Sequence, residues 1–186
     1  PRFDFRDAGL GHTLRLGMWT VLFVIVNQIA YTVVVRLAGS GTSAAANTDD
    51  PATGYTIYST AFLIVMVPHS VVTVSLATAV LPRLSELAHE GRFGAIAREL
   101  GSVMRTALAV MLPFVALLPV VAMDLSQVLF GHGANSRLWP LYAPTISLFG
   151  LGIGFFTLHY LVLRGFYALE ETRTVFFIQC VVGATN

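Results

Sequence analysis

The chain has 186 residues, 55% hydrophobic and 11% charged, with a net charge of +1. A soluble domain carries roughly 25% charged residues, so this deficit, with a mean hydropathy of +0.73, points to a membrane protein. The near-zero net charge gives a nucleic-acid partner no electrostatic support, and the single Cys180 sits inside an apolar run with no second cysteine or nearby metal ligand.

The expected fold is an all-α polytopic membrane protein. Helices are favoured over strands because every backbone group must be satisfied inside lipid, and the apolar runs are too continuous for the alternation of a membrane barrel. A span needs about 20 residues of helix. The first candidate is 16–38, where twelve Leu, Ile, Val or Phe residues each favour insertion by roughly 0.3–0.6 kcal/mol near the helix centre. They outweigh Asn27 and Gln28 at its middle. Arg36, near its end, either snorkels to the headgroups or projects into an outer vestibule to meet an anionic headgroup. A flexible, mildly acidic loop, GSGTSAAANTDDP, follows. The second span, 56–81, contains Pro68 and then His69.

Residues 82–105 differ in pattern. Leu84, Leu87, Ala88, Phe93, Ile96, Ala97, Leu100 and Met104 recur at three- and four-residue spacing, with Arg83, Glu86, Glu90, Arg98 and Glu99 filling much of the rest. Gly91 is expected to split this stretch into two short helices lying on the cytoplasmic membrane surface, unless Leu100 onward belongs to the next span. That third span, 106–123, carries Pro113 and Pro119, which are expected to bend it. The turn-rich FGHGANSRLWP leads into the fourth span, 142–163. LRGFYALEETRT, Leu163 to Thr174, then precedes a fifth, truncated span, 175–186. The chain opens on Pro1 and stops inside this apolar run, which reads as an internal fragment, 1–186, of a longer transmembrane protein.

All eleven basic residues are arginines. Nine lie in segments 1–15, 82–105 and 164–174, against Arg36 and Arg137 on the other side. This asymmetry predicts that those three segments face the cytoplasm.

No Walker loop, zinc-ligand spacing or nucleophile elbow is present, and an enzyme is not expected. Glu170 and Glu171 are sequence neighbours, so on a helix their side chains would diverge by about 100°. They read as part of a solvated turn. Polar groups inside the spans are better candidates, because they are costly in lipid and tend to face an interior or a hydrated cavity. Asn27 and Gln28 are candidates for ligand or ion contact, or for an interhelical hydrogen bond. His69 is either a titratable group in a moving, hydrated part of a transporter or a histidine bonded to a neighbouring helix. Pro68 removes a helical hydrogen bond beside it and is expected to kink the span; Pro113 is a second candidate hinge.

The order FRDAG, NQIA, VPHSVVTVSLATAVLPRLSELA, VLFGHG, RGFYALEETRT resembles the MurJ/MviN family, bacterial lipid II flippases of the multidrug/oligosaccharidyl-lipid/polysaccharide exporter superfamily. Pro68, with Pro82 inside LPRLS, matches a family proline followed by a small-residue span that ends in LPxLS. Arg164, Phe166, Tyr167, Ala168, Glu171, Thr172, Arg173 and Thr174 match a basic-FYA-acidic-T-basic-T signature. The resemblance covers essentially the whole chain. It implies helices seven to eleven of a fourteen-helix transporter, most of a second six-helix lobe, in the bacterial inner membrane. It further implies movement of lipid-linked peptidoglycan precursor by alternating access, with membrane lipids and the chain's own first lobe as partners. No cofactor is implied, and the coupling ion would be sodium or a proton. Three positions depart from the family pattern. Leu63 stands where an arginine commonly faces the cavity, Val34 near a polar position associated with sodium, and Val175 where the signature often ends in proline. Asn186 does match an asparagine linked to the sodium site. Arginine-only basic content and these departures resemble an actinobacterial branch. Two other roles stay open on sequence: another exporter of the superfamily, either a drug/cation antiporter or a polysaccharide-lipid flippase, and a non-transporting scaffold for cell-wall enzymes.

Overall fold

The computed structural model describes residues 10–45, 54–133 and 136–185. Five helices follow in order: α1 (Leu10–Ala45), α2 (Tyr55–His89), α3 (Phe93–Phe130), α4 (Trp139–Ala168) and α5 (Thr172–Thr185). The first four are long and apolar enough to cross a membrane. The chain is therefore an all-α polytopic membrane protein, as its composition requires.

α2, α3 and α4 form an antiparallel bundle. On α2 the buried positions are Ile57, Ala61, Val65, His69, Thr73, Ala77, Val80, Leu84 and Leu87. Steps of three and four keep them on one face. Ile57, Ala61 and Val65 meet Met111 and Ala122 of α3 and Tyr142, Ala143, Ile146 and Ile153 of α4 in one core. Lipid tails are as apolar as leucine, so close packing rather than water exclusion holds such helices together, and small residues let backbones approach. Gly150 and Gly165 do this on α4. A Cβ on Gly150 would stand 2.8 Å from Leu118 Cβ, and one on Gly165 2.8 Å from Leu100 Cδ2.

α1 packs chiefly on α5. A Cβ on Gly183 would lie 3.6 Å from Val26 Cγ1 and 3.7 Å from Ala30 Cβ, and the Trp19 ring sits 5.4 Å from that of Phe176. A hydroxyl pair, Tyr31 with Tyr55, ties α1 to the start of α2. None of the described side chains of α1 is buried, so its remaining faces are left for lipid or further protein.

The helices run well past the predicted spans. α2 is continuous through both Pro68 and Pro82, and α3 through Pro113 and Pro119. Gly91 does break the 82–105 segment, but the two pieces are the ends of α2 and α3 rather than separate short helices. The break is a Schellman turn. Gly91 has φ +67, its N–H donates to the Ala88 carbonyl, and the Arg92 N–H donates to that of Leu87, each at 3.0 Å. The apolar stripe here is also largely spent on protein. Leu84, Leu87 and Ile96 are buried together with Val80 and Ala168 of α4, while Phe93 is 65% exposed. Three- and four-residue spacing marks an apolar face without saying whether lipid or another helix covers it.

The α4–α5 connection has the same geometry. Glu170 N–H donates to Tyr167 O and Glu171 N–H to Phe166 O, each at 3.1 Å. Here the left-handed position is taken by Glu170, with φ +57. Glu171 then caps α5, its carbonyl accepting the Val175 N–H at 3.3 Å.

Candidate functional site

Two clusters of polar side chains inside the spans hold the candidates His69 and Asn27. The first lies between α2 and α4. His69 is 4% exposed, and its Nδ1 is 3.1 Å from Thr157 Oγ1. Thr73, one turn along α2, brings its own hydroxyl within 3.4 Å of the same oxygen. Two aromatic rings of α4 close around the imidazole, Phe156 at 4.8 Å and Tyr160 at 5.3 Å, both edge to face. Arg164 donates to the Tyr160 hydroxyl, and its guanidinium carbon lies 4.8 Å from the centre of that ring. A chain of polar and aromatic groups thus runs from the buried Thr73 to the arginine that opens the RGFYA signature. His69 belongs to it because it falls on the four-residue stripe of buried α2 positions, between Val65 and Thr73.

The second group joins α1 to α5. Gln179, 7% exposed, donates through Nε2 to Asn27 Oδ1 at 3.3 Å. Gln28 points elsewhere. It is exposed and, with Arg36, Val24, Ile25, Ile29, Thr32 and Val33, lines an open groove of about 400 Å³ on the outer side of α1. Arg36 and Gln28 therefore share a surface that Asn27 does not. Val34 lines a different, apolar cavity of about 310 Å³ between α1 and α5, beside Cys180. Leu63 is 66% exposed on α2, away from the His69 seam. Asn186 lies outside the described residues. The structure thus brings His69 together with Arg164, and leaves Asn27, Arg36 and His69 in three separate places.

The signature residues gather at one end of the molecule. Arg173 stacks over Trp19 and Phe177, at 5.7 and 5.9 Å, and with Arg15, Trp19, Glu170, Glu171 and Thr172 it lines a cavity of about 470 Å³. The Thr174 hydroxyl donates to Glu171 Oε2 at 3.4 Å. Phe166 lines an apolar recess with Phe93 and Leu100, and Tyr167 borders a polar one with Ser85 and His89. Val175 is buried. Pro68 is half-buried; Pro82 and Pro113 are exposed on their helices.

Thr73, Thr157, Tyr160 and Gln179 were not singled out by sequence. A threonine or tyrosine in an apolar run is too common to carry a signal, because threonine hydroxyls bond their own helix backbone. Gln179 had the same signal as Asn27, an amide inside a span.

Four membrane-length helices with buried polar seams, alternating in direction and collecting arginines at one end, define a multi-pass helical membrane protein without a catalytic constellation among the described residues. A family model described as lipid II flippase MurJ matches residues 1–186; the chain belongs to that family, whose members reside in the bacterial inner membrane. Two relatives, from Rhizobium tropici and Rhizobium meliloti (strain 1021), each named probable lipid II flippase MurJ, are 28% identical over 124 residues. Those matches cover 66% of this chain and 23% of each relative, so the chain spans about a quarter of their length. No solved structure matches it.

Proposed function

We propose that the full-length protein moves an undecaprenyl-linked peptidoglycan precursor, lipid II, from the cytoplasmic to the outer leaflet by alternating access. The observation that carries this reading is the family match along the whole of residues 1–186. The family describes a transporter rather than an enzyme. The anionic diphosphate-sugar headgroup enters a hydrated cavity between two lobes while the prenyl tail stays among membrane lipids, and the lobes rock to switch its exposure.

The described helices form most of the second lobe in this reading. The unburied length of α1 supports a partner surface for the first lobe. Exposed Ser70, Ser75 and Thr78 on α2 bond their own helix carbonyls at 2.6–2.9 Å, so that face of α2 can border water without unsatisfied groups. Asn27, Gln28, Arg36, His69 and Asn186 remain the pathway candidates, and a proton or sodium ion the coupling species. With Leu63 in place of the family arginine, most of the cavity's positive charge comes from the first lobe.

The test uses full-length protein in liposomes carrying fluorescent lipid II, with an impermeant quencher reporting the outer leaflet. Protein-dependent exchange between leaflets is expected, and substitution of first-lobe arginines is expected to abolish it. Absence of exchange under every gradient tried would overturn the reading. Exchange that ignores those arginines would overturn the charge assignment.

A further inference from the structure

Among the described residues, His69 is the buried histidine, the side-chain type whose charge change in water falls near neutral pH. Its surroundings are specific. Thr157 Oγ1 sits between His69 Nδ1 and Thr73 Oγ1, at 3.1 and 3.4 Å. A hydroxyl has one proton and two lone pairs, so this three-membered chain can run in either direction. With Nδ1 unprotonated, Thr157 donates to His69 and accepts from Thr73. With Nδ1 carrying a proton, His69 donates to Thr157, which turns its hydroxyl to Thr73. The seam can take up a proton at His69 without losing a hydrogen bond.

The charge is another matter. On α4, His69 faces Tyr160 and, behind that ring, the cation of Arg164; His159 lies half-buried nearby in sequence. α3 offers no titratable group between Arg105 and Asp124. α1 reaches α2 through Tyr31 and Tyr55, and α5, which packs on α1, carries Arg173 at its start. No carboxylate among these groups faces the imidazole. An imidazolium in this closed seam has no counter-ion among the described residues, so it is stable only where water reaches it. A backbone weakness adjoins the site. Pro68 has no N–H, leaving the Ile64 carbonyl without its helical donor beside the histidine.

We propose that His69 is a proton-binding site whose protonation favours an opened, hydrated α2–α4 seam and so couples proton uptake to the transport cycle. The proposal rests on the transport reading above. A state that hydrates His69 binds the proton more tightly than the closed state, and by linkage acid populates that state. Thr157 is a positioning residue here: its hydroxyl can accept from the imidazolium, so losing it weakens the charged form more than the neutral one.

The experiment measures lipid II exchange by the full-length protein in liposomes between about pH 5.5 and pH 8, the window in which histidine changes charge. The native chain is expected to change rate on the order of tenfold across this range. His69→Gln, which keeps an amide to bond Thr157, should reduce that change to less than about twofold. Thr157→Val should retain the dependence with its midpoint moved to lower pH. In parallel, NMR of histidine-labelled full-length protein, assigned by the His69→Gln variant, should show the His69 resonance titrating in the same window. This arm needs no substrate, so it still decides the proposal if no lipid II exchange is found. A native rate flat in pH, a His69→Gln variant with unchanged dependence, or a His69 resonance that stays neutral throughout the range would each overturn it.

Discussion

Single residues fix the two sharp turns. Gly91 and Glu170 occupy the same left-handed position of matching Schellman motifs, with φ +67 and +57. Only glycine adopts that conformation without cost; other residues lose roughly 1 kcal/mol or more there. Gly91→Ala is therefore expected to destabilise by about 1 kcal/mol, whereas Glu170→Gly is expected to be neutral or to stabilise by up to about 1 kcal/mol. Thermal unfolding of the full-length protein in detergent compares them. Equal losses at both sites would contradict the assigned geometry. The two buried glycines of α4 separate in the same way. The clash at Gly150 is with Leu118 Cβ, which is fixed to the backbone, and at Gly165 with Leu100 Cδ2, the end of a flexible side chain. Gly150→Ala should cost about 1–3 kcal/mol and Gly165→Ala distinctly less. The carboxylate pair Glu170–Glu171, which invites a catalytic reading, is explained by backbone roles: one residue ends α4 and the other caps α5.

At the level of helices, hydropathy made the spans legible because insertion energy depends on composition over about 20 residues. It could not reveal how far the helices extend beyond lipid. The ends of α2 and α3 are held by contact with each other and with Ala168, eighty residues distant in sequence from Ala88. The candidate polar residues were legible one at a time, since an amide or imidazole in an apolar run stands out. Their partners were not. His69–Thr157 and Asn27–Gln179 join residues 88 and 152 positions apart, and no local pattern encodes such pairing. The α1–α5 packing can be checked directly. A Cβ on Gly183 falls 3.7 Å from that of Ala30, inside the about 3.5–4.5 Å that a disulfide requires. Ala30→Cys with Gly183→Cys, in a full-length background lacking Cys180 and other cysteines, should cross-link on mild oxidation. Shifting the first site to Val33 should lower the yield, and equal yields would contradict the pairing.

For the whole molecule, the antiparallel order of the helices places Arg15, Arg83, Arg92, Arg164 and Arg173 toward one end, formed by the start of α1, the α2–α3 turn and the α4–α5 turn. Read with the positive-inside rule, that end faces the cytoplasm. His89→Cys should then be labelled by an impermeant maleimide only after cells are permeabilised, and His132→Cys in intact cells whose outer barrier has been removed. The reverse pattern would invert the topology. The proposed transport is tested most directly by depleting the full-length protein and measuring, in those cells, which leaflet holds lipid II. Loss of transport predicts that lipid II accumulates beyond the reach of an external headgroup probe, and that restoring the protein returns it to the outer leaflet. Unchanged outer-leaflet lipid II after depletion would contradict the transport reading.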